Sequence, residues 1–468
     1  MPDILYVSLS DMHLGEEDSL LTGLKPDSLH TDPTRPSPVL RQLVACLRNL
    51  VSKNENGRKP TLVLNGDILE LALTKTNEAA MVFDCFMGLA MPRNKELFER
   101  IIYVPGNHDH HLWELARETQ YVEYIRILKG KELPIPWHTT KMFVEKDVER
   151  VPSYLLTNLV KRSAKLRDFP IFTAYPNFAL LKGGGEKCVI FHHGHFIESR
   201  YQLMSTLSNL IFPNRPKPEQ IWDIEAENFA WIDFFWSTMG RSGEVGQDVE
   251  MIYEKMLDPR QFKDLLYRVA ESISKKRGLP GWVGVTIAKI LTWAFRGTVN
   301  KITGSERAET RDVLTQGTRE GLMEYIQGPL QKQVIAELGG VPSDVTFVFG
   351  HTHKPYQRNL EGERDSNWKS VYNSGGWVVE TVEREPIHGG AVVLVDENLN
   401  LTSLRMYNEA EGKHHYTVEV KEAGEKESPF HERIVDLVKK GEPFKKFSNI
   451  VAQEVEIRAQ RLKRRLES

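Results

Sequence analysis

The sequence predicts an α/β fold of mixed architecture, two stacked sheets with helices outside, and three observations carry that prediction. Short apolar runs rich in β-branched or aromatic residues alternate with helix-period segments through the N-terminal part. Hairpin patterns replace that alternation further along. Five of the apolar runs end in a small cluster of Asp, Asn or His, as loops do that gather a ligand at the carboxyl edge of a sheet.

Taken in order, Ile4 to Leu9, Thr61 to Leu64 and Ile101 to Val104 read as buried strands bounded by Gly, Pro, Asp or Asn. Between them, Val39 to Val51 places Leu40, Leu43, Val44, Leu47 and Leu50 at helical spacing, and Asn77 to Leu89 does the same. Phe178 to Leu181 and Cys188 to Phe191 flank Gly183-Gly184-Gly185, read as a hairpin turn because no Gly-Lys-Ser/Thr follows. Val345 to Phe349 is a fifth cluster-bearing strand. Ala391 to Val395 and Leu401 to Met406 form a second hairpin around Asp396 to Asn400.

From about Phe196 to Gly340 the strands stop. Helix-like segments follow at Glu219 to Trp236, Val249 to Leu257, Gln261 to Lys276, Trp282 to Phe295 and Gly321 to Leu338. Trp222, Trp231, Trp236, Trp282 and Trp293 fall here with Phe229, Phe234, Phe235 and Phe295, suiting either a small helical core or an apolar cap. A basic amphipathic helix is expected around Tyr154 to Leu166, and beyond about Glu409 a solvated, partly helical tail ends in Arg458, Arg461, Lys463, Arg464 and Arg465. The expected organisation is a catalytic domain over 1–195 and 341–408 with a smaller insertion at about 110–177, a helical insertion or cap over 196–340, and a charged C-terminal tail over 409–468.

At 468 residues the chain can bury a large core. Its 61 Lys+Arg against 64 Asp+Glu leave a net charge of −3, which offers no general attraction to nucleic acid or anionic membranes. Cys46, Cys85 and Cys188 are odd in number and widely separated, fitting neither a disulfide framework nor a cysteine zinc site. Met1-Pro2-Asp3 runs straight into a strand without a basic or apolar leader, so a cytoplasmic location is expected. Leu279 to Phe295 is too short and too interrupted to span a bilayer, though peripheral membrane contact through the aromatic segment stays open.

The clusters carry the chemistry. Asp11 and His13, two apart on an extended segment, project from the same side. Asp67 follows Gly66 and has two oxygens with which to bridge two cations. Asn107 offers a neutral carbonyl oxygen, His193 precedes Gly194, and His351 and His353 repeat the two-residue spacing. With Asp67 used twice, these seven residues supply two sites of four ligands and leave open positions for water and substrate. Such a pair of cations, about 3.5 to 4 Å apart, activates water and makes a Ser or Cys nucleophile unnecessary. His195 lies within reach of the same crevice and is a candidate substrate contact.

Asp11-x-His13, Gly66-Asp67, Gly106-Asn107-His108-Asp109, His193-Gly194-His195 and Gly350-His351-x-His353 resemble, in order, the motifs of the calcineurin-like metallophosphoesterase superfamily. The resemblance implies a four-layer α/β/β/α sandwich and a dinuclear centre of Mn, Fe, Zn or Mg type, with manganese foremost. It further implies that Asp11, His13, Asp67 and His353 hold one metal while Asp67, Asn107, His193 and His351 hold the other. His108 would contact the phosphate and protonate the leaving oxygen, with Asp109 orienting its ring. Gly350 to Pro355 followed by Asn373-Ser374-Gly375-Gly376-Trp377 is loosely similar to the UDP-2,3-diacylglucosamine pyrophosphatase branch, whose members are much shorter and carry Arg where His108 stands.

The expected activity is therefore hydrolysis of a phosphodiester, pyrophosphate or phosphomonoester, the substrate's apolar part held by the helical insert. A nuclease of the same superfamily and a catalytically silent metal-binding scaffold are the alternatives. The near-neutral charge speaks against the first and the complete ligand set against the second.

Overall fold

The computed structural model of the chain describes residues 2–26, 30–130, 132–133, 135–143, 151–162, 169–211, 214–238, 306–307, 311–360, 367–412, 416–424 and 427–467. The helices expected at Val249 to Leu257, Gln261 to Lys276 and Trp282 to Phe295 lie outside the described residues, with Trp282, Trp293 and Phe295.

The chain runs β1 (Ile4–Leu9), α1 (Pro38–Val51), β2 (Thr61–Asn65), α2 (Thr76–Ala90), β3 (Arg100–Val104) and α3 (His111–Ile127). It continues through β4 (Val151–Pro152), α4 (Tyr154–Lys161), β5 (Ile171–Thr173), β6 (Asn177–Leu181), β7 (Lys187–His192), α5 (Leu203–Ile211) and α6 (Ile221–Trp231). After a π-helical turn over Ile232–Thr238 and the segment outside the description come α7 (Gln316–Tyr325) and, past a second π-turn, α8 (Gln331–Leu338). Strands β8 (Asp344–Phe349), β9 (Tyr356–Asn359), β10 (Trp368–Asn373), β11 (Gly389–Asp396), β12 (Leu401–Asn408) and β13 (Glu419–Lys421) precede α9 (Pro429–Lys439) and α10 (Phe444–Glu467). Ser37 starts α1 by accepting a hydrogen bond from the Leu40 amide at 3.0 Å, with Pro38 preset for the first turn.

The strands form an eight-stranded sheet, ordered β13-β12-β11-β1-β2-β3-β5-β4, and a five-stranded sheet, ordered β6-β7-β8-β10-β9. β1, β2, β3 and β5 are parallel to their neighbours in that run, as are β7, β8 and β10 in theirs. The β6–β7 and β11–β12 pairs are the antiparallel hairpins expected from the Gly triplet and from Asp396 to Asn400.

Strand alternation explains the layering. Leu62 and Leu64 join α1 and α2 in one core, while Val63 between them faces inward to meet Phe178, Val189, Phe191, Val348 and Val393 from the second sheet. On the second sheet, Cys188, Ile190, Phe347 and Phe349 turn outward to Ile221, Ile224, Phe235, Trp236, Tyr325 and Leu330. Helices, sheet, sheet and helices are thus stacked over three apolar cores, the expected mixed α/β sandwich.

The solvated tail expected after Glu409 is corrected. Phe447, Val451, Val455 and Ala459 recur every four residues along α10 and are buried in the first core with Phe430 and Ile434 of α9. Arg458 is fully buried and donates to the carbonyls of Ser19 at 2.9 Å and Thr22 at 2.8 Å. The helix hides an apolar stripe and uses part of its basic end as a tie. Among the described residues no helix is long and apolar enough to cross a membrane.

Candidate metal centre

All five clusters begin at the carboxyl ends of parallel strands. Asp11 and His13 follow β1, Asp67 follows β2, and Asn107 and His108 follow β3 on the eight-stranded sheet; His193 follows β7 and His351 and His353 follow β8 on the other. The two sheet edges face each other, so each sheet contributes part of one buried cluster.

Its backbone is unusual. Asp11 (φ 48°), His13 (φ 42°), Asp67 (φ 50°), His351 (φ 70°) and His353 (φ 58°) all lie in the left-handed region, which costs a residue with a Cβ roughly 1 kcal/mol or more. Neighbouring glycines make the space. A Cβ on Gly66, itself at φ 86°, would stand 2.4 Å from His193 Nδ1, and one on Gly350 would stand 2.0 Å from Asp11 Oδ2.

The side chains converge in two neighbouring groups. Asp11, His13 and His353 place ligand atoms within 4.8 Å of one another, as do Asp67, His193 and His351. Asp67 Oδ2 lies between the groups, 3.7 Å from His13 Nε2 and 3.1 Å from His193 Nε2. His193 Nε2 is 3.0 Å from Asn107 Oδ1 and 3.2 Å from His351 Nδ1, and His353 Nε2 is 3.4 Å from Asp11 Oδ1.

Each of the four histidines turns one ring nitrogen to this cluster and rests the other on an outer acceptor. His13 Nδ1 meets Glu70 at 2.7 Å, His351 Nε2 meets Glu198 at 2.6 Å, His353 Nδ1 abuts Glu380, and His193 Nδ1 is 3.4 Å from the Asn65 carbonyl. That is how imidazoles are oriented when the inward nitrogen binds a cation. His13 Nε2 and His353 Nε2 are buried without a hydrogen-bond partner and face the place a cation would occupy. The donor set is nitrogen and oxygen only, suited to divalent cations of the Mn, Fe or Zn type.

Electrostatics agree at four of these residues, while at His193 burial is outweighed by Asp67 and Asp11, which raise it to about 9. Burial would raise the Asp67 carboxyl, but His193, His108 and His13 outweigh it and hold it well below the usual range; His193 and His353 do the same for Asp11. Burial pushes His13 down to about 4 and His351 well below its ordinary value, leaving their rings neutral and able to ligate.

His108 stands beside the groups, its ring 4.9 Å from that of His13. Its Nδ1 lies 2.8 Å from Glu70 Oε2. Burial opposes protonation of His108, yet Glu70 and Asp67 outweigh it and raise its pKa.

The expectation that Asp109 orients His108 is corrected. The Asp109 carboxylate accepts from the amides of Gly106 and Ile68, each at 2.7 Å, and so clamps the loops after β3 and β2 together. Glu70, three residues after Asp67, orients the ring instead. His195 is fully buried behind His193, its Nε2 3.4 Å from the Tyr175 hydroxyl and its ring 4.3 Å from that of Phe196, and it joins neither ligand group. His192 continues the outward alternation of β7 into a pocket of Phe196, Tyr325 and Phe347 rings, where burial keeps it neutral.

Sequence reasoning missed Glu70, Glu198, Glu380 and Arg307. Arg307 comes from the insertion segment, reaches 3.4 Å from Asp67 Oδ2 and donates to the His351 carbonyl at 3.0 Å. Only Glu70 had a local signal, its place three residues past Asp67.

No family model and no curated protein matches the chain. Among solved structures, the crystal structure of a dimetal phosphatase from Danio rerio aligns over 91% of this chain and 100% of that one, with 10% identity and a TM-score of 0.31. A likeness that low carries no weight for function, which has to rest on the residues themselves.

Proposed function

We propose that the chain is a dinuclear metal-dependent phosphoesterase. The observation that carries this reading is the set of four histidines around Asp67 whose inner nitrogens converge and whose outer nitrogens rest on Glu70, Glu198, Glu380 and a backbone carbonyl. Asp11, His13, Asp67 and His353 would hold one cation and Asp67, Asn107, His193 and His351 the other, manganese being the first candidate. When bound, such a pair supplies Lewis acidity toward phosphoryl oxygens and lowers the pKa of water.

The chain's own residues do the remainder. His108, kept protonated by Glu70, donates its Nε2 proton to the leaving oxygen. Arg307 offers its guanidinium to a non-bridging phosphate oxygen, a group it pairs with in bidentate fashion. The described parts of segment 196–340 cap the crevice, a reading supported by Arg307 and by Tyr201, whose ring lies 5.0 Å from that of His351. Of its aromatic side chains, Phe235 and Trp236 are spent on the core beneath, while Phe234 is exposed and free to meet an apolar part of the substrate.

Activity assays with Mn²⁺ test the reading. Aryl phosphodiesters and monoesters, nucleotides, sugar nucleotides, phospholipids and single-stranded DNA are offered, with metal content measured on the same sample. Hydrolysis of at least one phosphate ester that chelation abolishes is expected. A metal-loaded protein inert across the whole panel would favour the silent scaffold.

A further inference from the structure

A second gathering of ligand-type side chains lies outside the crevice, where the start of α3 meets the insertion. His110 and Glu114 are four residues apart and therefore share one face of α3, and Glu225 reaches them from α6. One ligand atom from each lies within 4.8 Å of the others. His110 and Glu225 are fully buried and Glu114 is 8% exposed.

The contacts are these. His110 Nε2 is 2.8 Å from Glu225 Oε1, and the other Glu225 oxygen accepts from the Tyr175 hydroxyl at 2.8 Å. Glu114 Oε2 accepts from Arg117 Nε and Nη2 at 2.9 and 2.7 Å. Asp233 faces His110 Nδ1 at 3.7 Å and His111 Nδ1 at 3.1 Å. Glu114 Oε1 and His110 Nδ1 are left buried without a hydrogen-bond partner.

Three carboxylates thus surround one arginine, already engaged, and two imidazoles. A proton on His110 answers Glu225 at Nε2 and faces Asp233 at Nδ1, but leaves Glu114 Oε1 without a partner. A cation answers Glu114 Oε1 as well, and puts Nδ1–H toward Asp233, the usual acceptor behind a ligating imidazole.

We propose that His110, Glu114 and Glu225 form a third cation site, separate from the dinuclear centre, that takes a zinc-type divalent ion through one imidazole nitrogen and two carboxylate oxygens. Its consequence is mechanical. The ion ties α6 to the segment that carries His108, a junction also made by Ser237, which accepts from the His111 amide at 3.0 Å and donates to the His108 carbonyl at 3.2 Å.

Metal analysis of the full chain after exhaustive dialysis tests this independently of the crevice. An Asp67→Ala protein, stripped of the crevice ions, is expected to retain one ion per chain, and Asp67→Ala/Glu225→Gln none. With Co²⁺ in place of the native metal, the Asp67→Ala protein should show one set of d–d absorption bands that the added His110→Gln change removes. Wild type and Glu225→Gln are compared as well, in case the Asp67 background folds poorly, and the wild type should hold one ion more. Equal metal content in that pair, or an Asp67→Ala protein folded but free of metal, overturns the third site whatever becomes of the dinuclear one.

Discussion

The crevice at the strand ends and the cluster at His110 both bury histidines among carboxylates, but they are built differently. In the crevice, five ligand-type residues occupy left-handed backbone and glycines give up their side chains to make room. At His110, ordinary helices present their faces and the cluster exists only because two of them dock. The difference teaches where precision comes from. Strained loops at sheet edges hold ligands from two sheets to one geometry whatever the cap does, whereas a helix-to-helix cluster is as firm as the packing between the helices.

The most severe way to break that contrast is at its hub. Asp67→Ala removes the carboxylate proposed to bridge the two cations and is expected to cost at least about 10³-fold in turnover and to empty the crevice of metal, measured by kinetics and elemental analysis together. His108→Ala touches no expected ligand. It should lower kcat by about 10² to 10⁴-fold while leaving metal content unchanged, and matching metal loss in both variants would refute the acid role of His108.

Glu70→Gln sharpens the picture through pH. Glu70 raises the His108 pKa, and an acid works only while protonated, so activity is lost as pH rises through that pKa. Without the carboxylate the alkaline limb of the kcat profile should move to lower pH; an unmoved limb would remove Glu70 from the proton path.

Two glycines of the same handedness compare the crevice with a plain turn. Gly66→Ala must push against His193, and a loss of roughly 3 kcal/mol in unfolding free energy is expected; Gly184→Ala, at φ 101° in the β6–β7 hairpin with nothing nearby, should lose only about 1 kcal/mol.

A pH-dependent effect concerns a buried carboxyl outside both ligand groups. Burial pushes Glu409 up to about 8, so the folded chain holds a proton there that the unfolded chain has released, and stability falls as pH rises from about 4.5 to 8. Glu409→Gln should therefore gain on the wild type progressively across that window, by on the order of 4 kcal/mol at pH 8, read by urea melts.

Much of this molecule was legible from local pattern. The five cluster-bearing runs became β1, β2, β3, β7 and β8 within a residue of their expected ends, because a strand announces itself by composition and by the turn residues that close it. The clusters were legible for the same reason. What was misread was α10, where a dense run of charge masked apolar residues four apart, and the partner of His108, where the adjacent Asp109 was preferred to Glu70.

By itself, then, the sequence determined the strands, the clusters at their ends and the kind of donor atoms they bring, since period, punctuation and side-chain chemistry are properties of short stretches. The tertiary structure alone decided which carboxylate stands behind each histidine, that Arg307 enters the crevice, and that His110 finds Glu225 115 positions away. Those pairings depend on how sheets and helices stack, and a side chain's partner across a packed interface leaves no mark in its own neighbourhood of the chain.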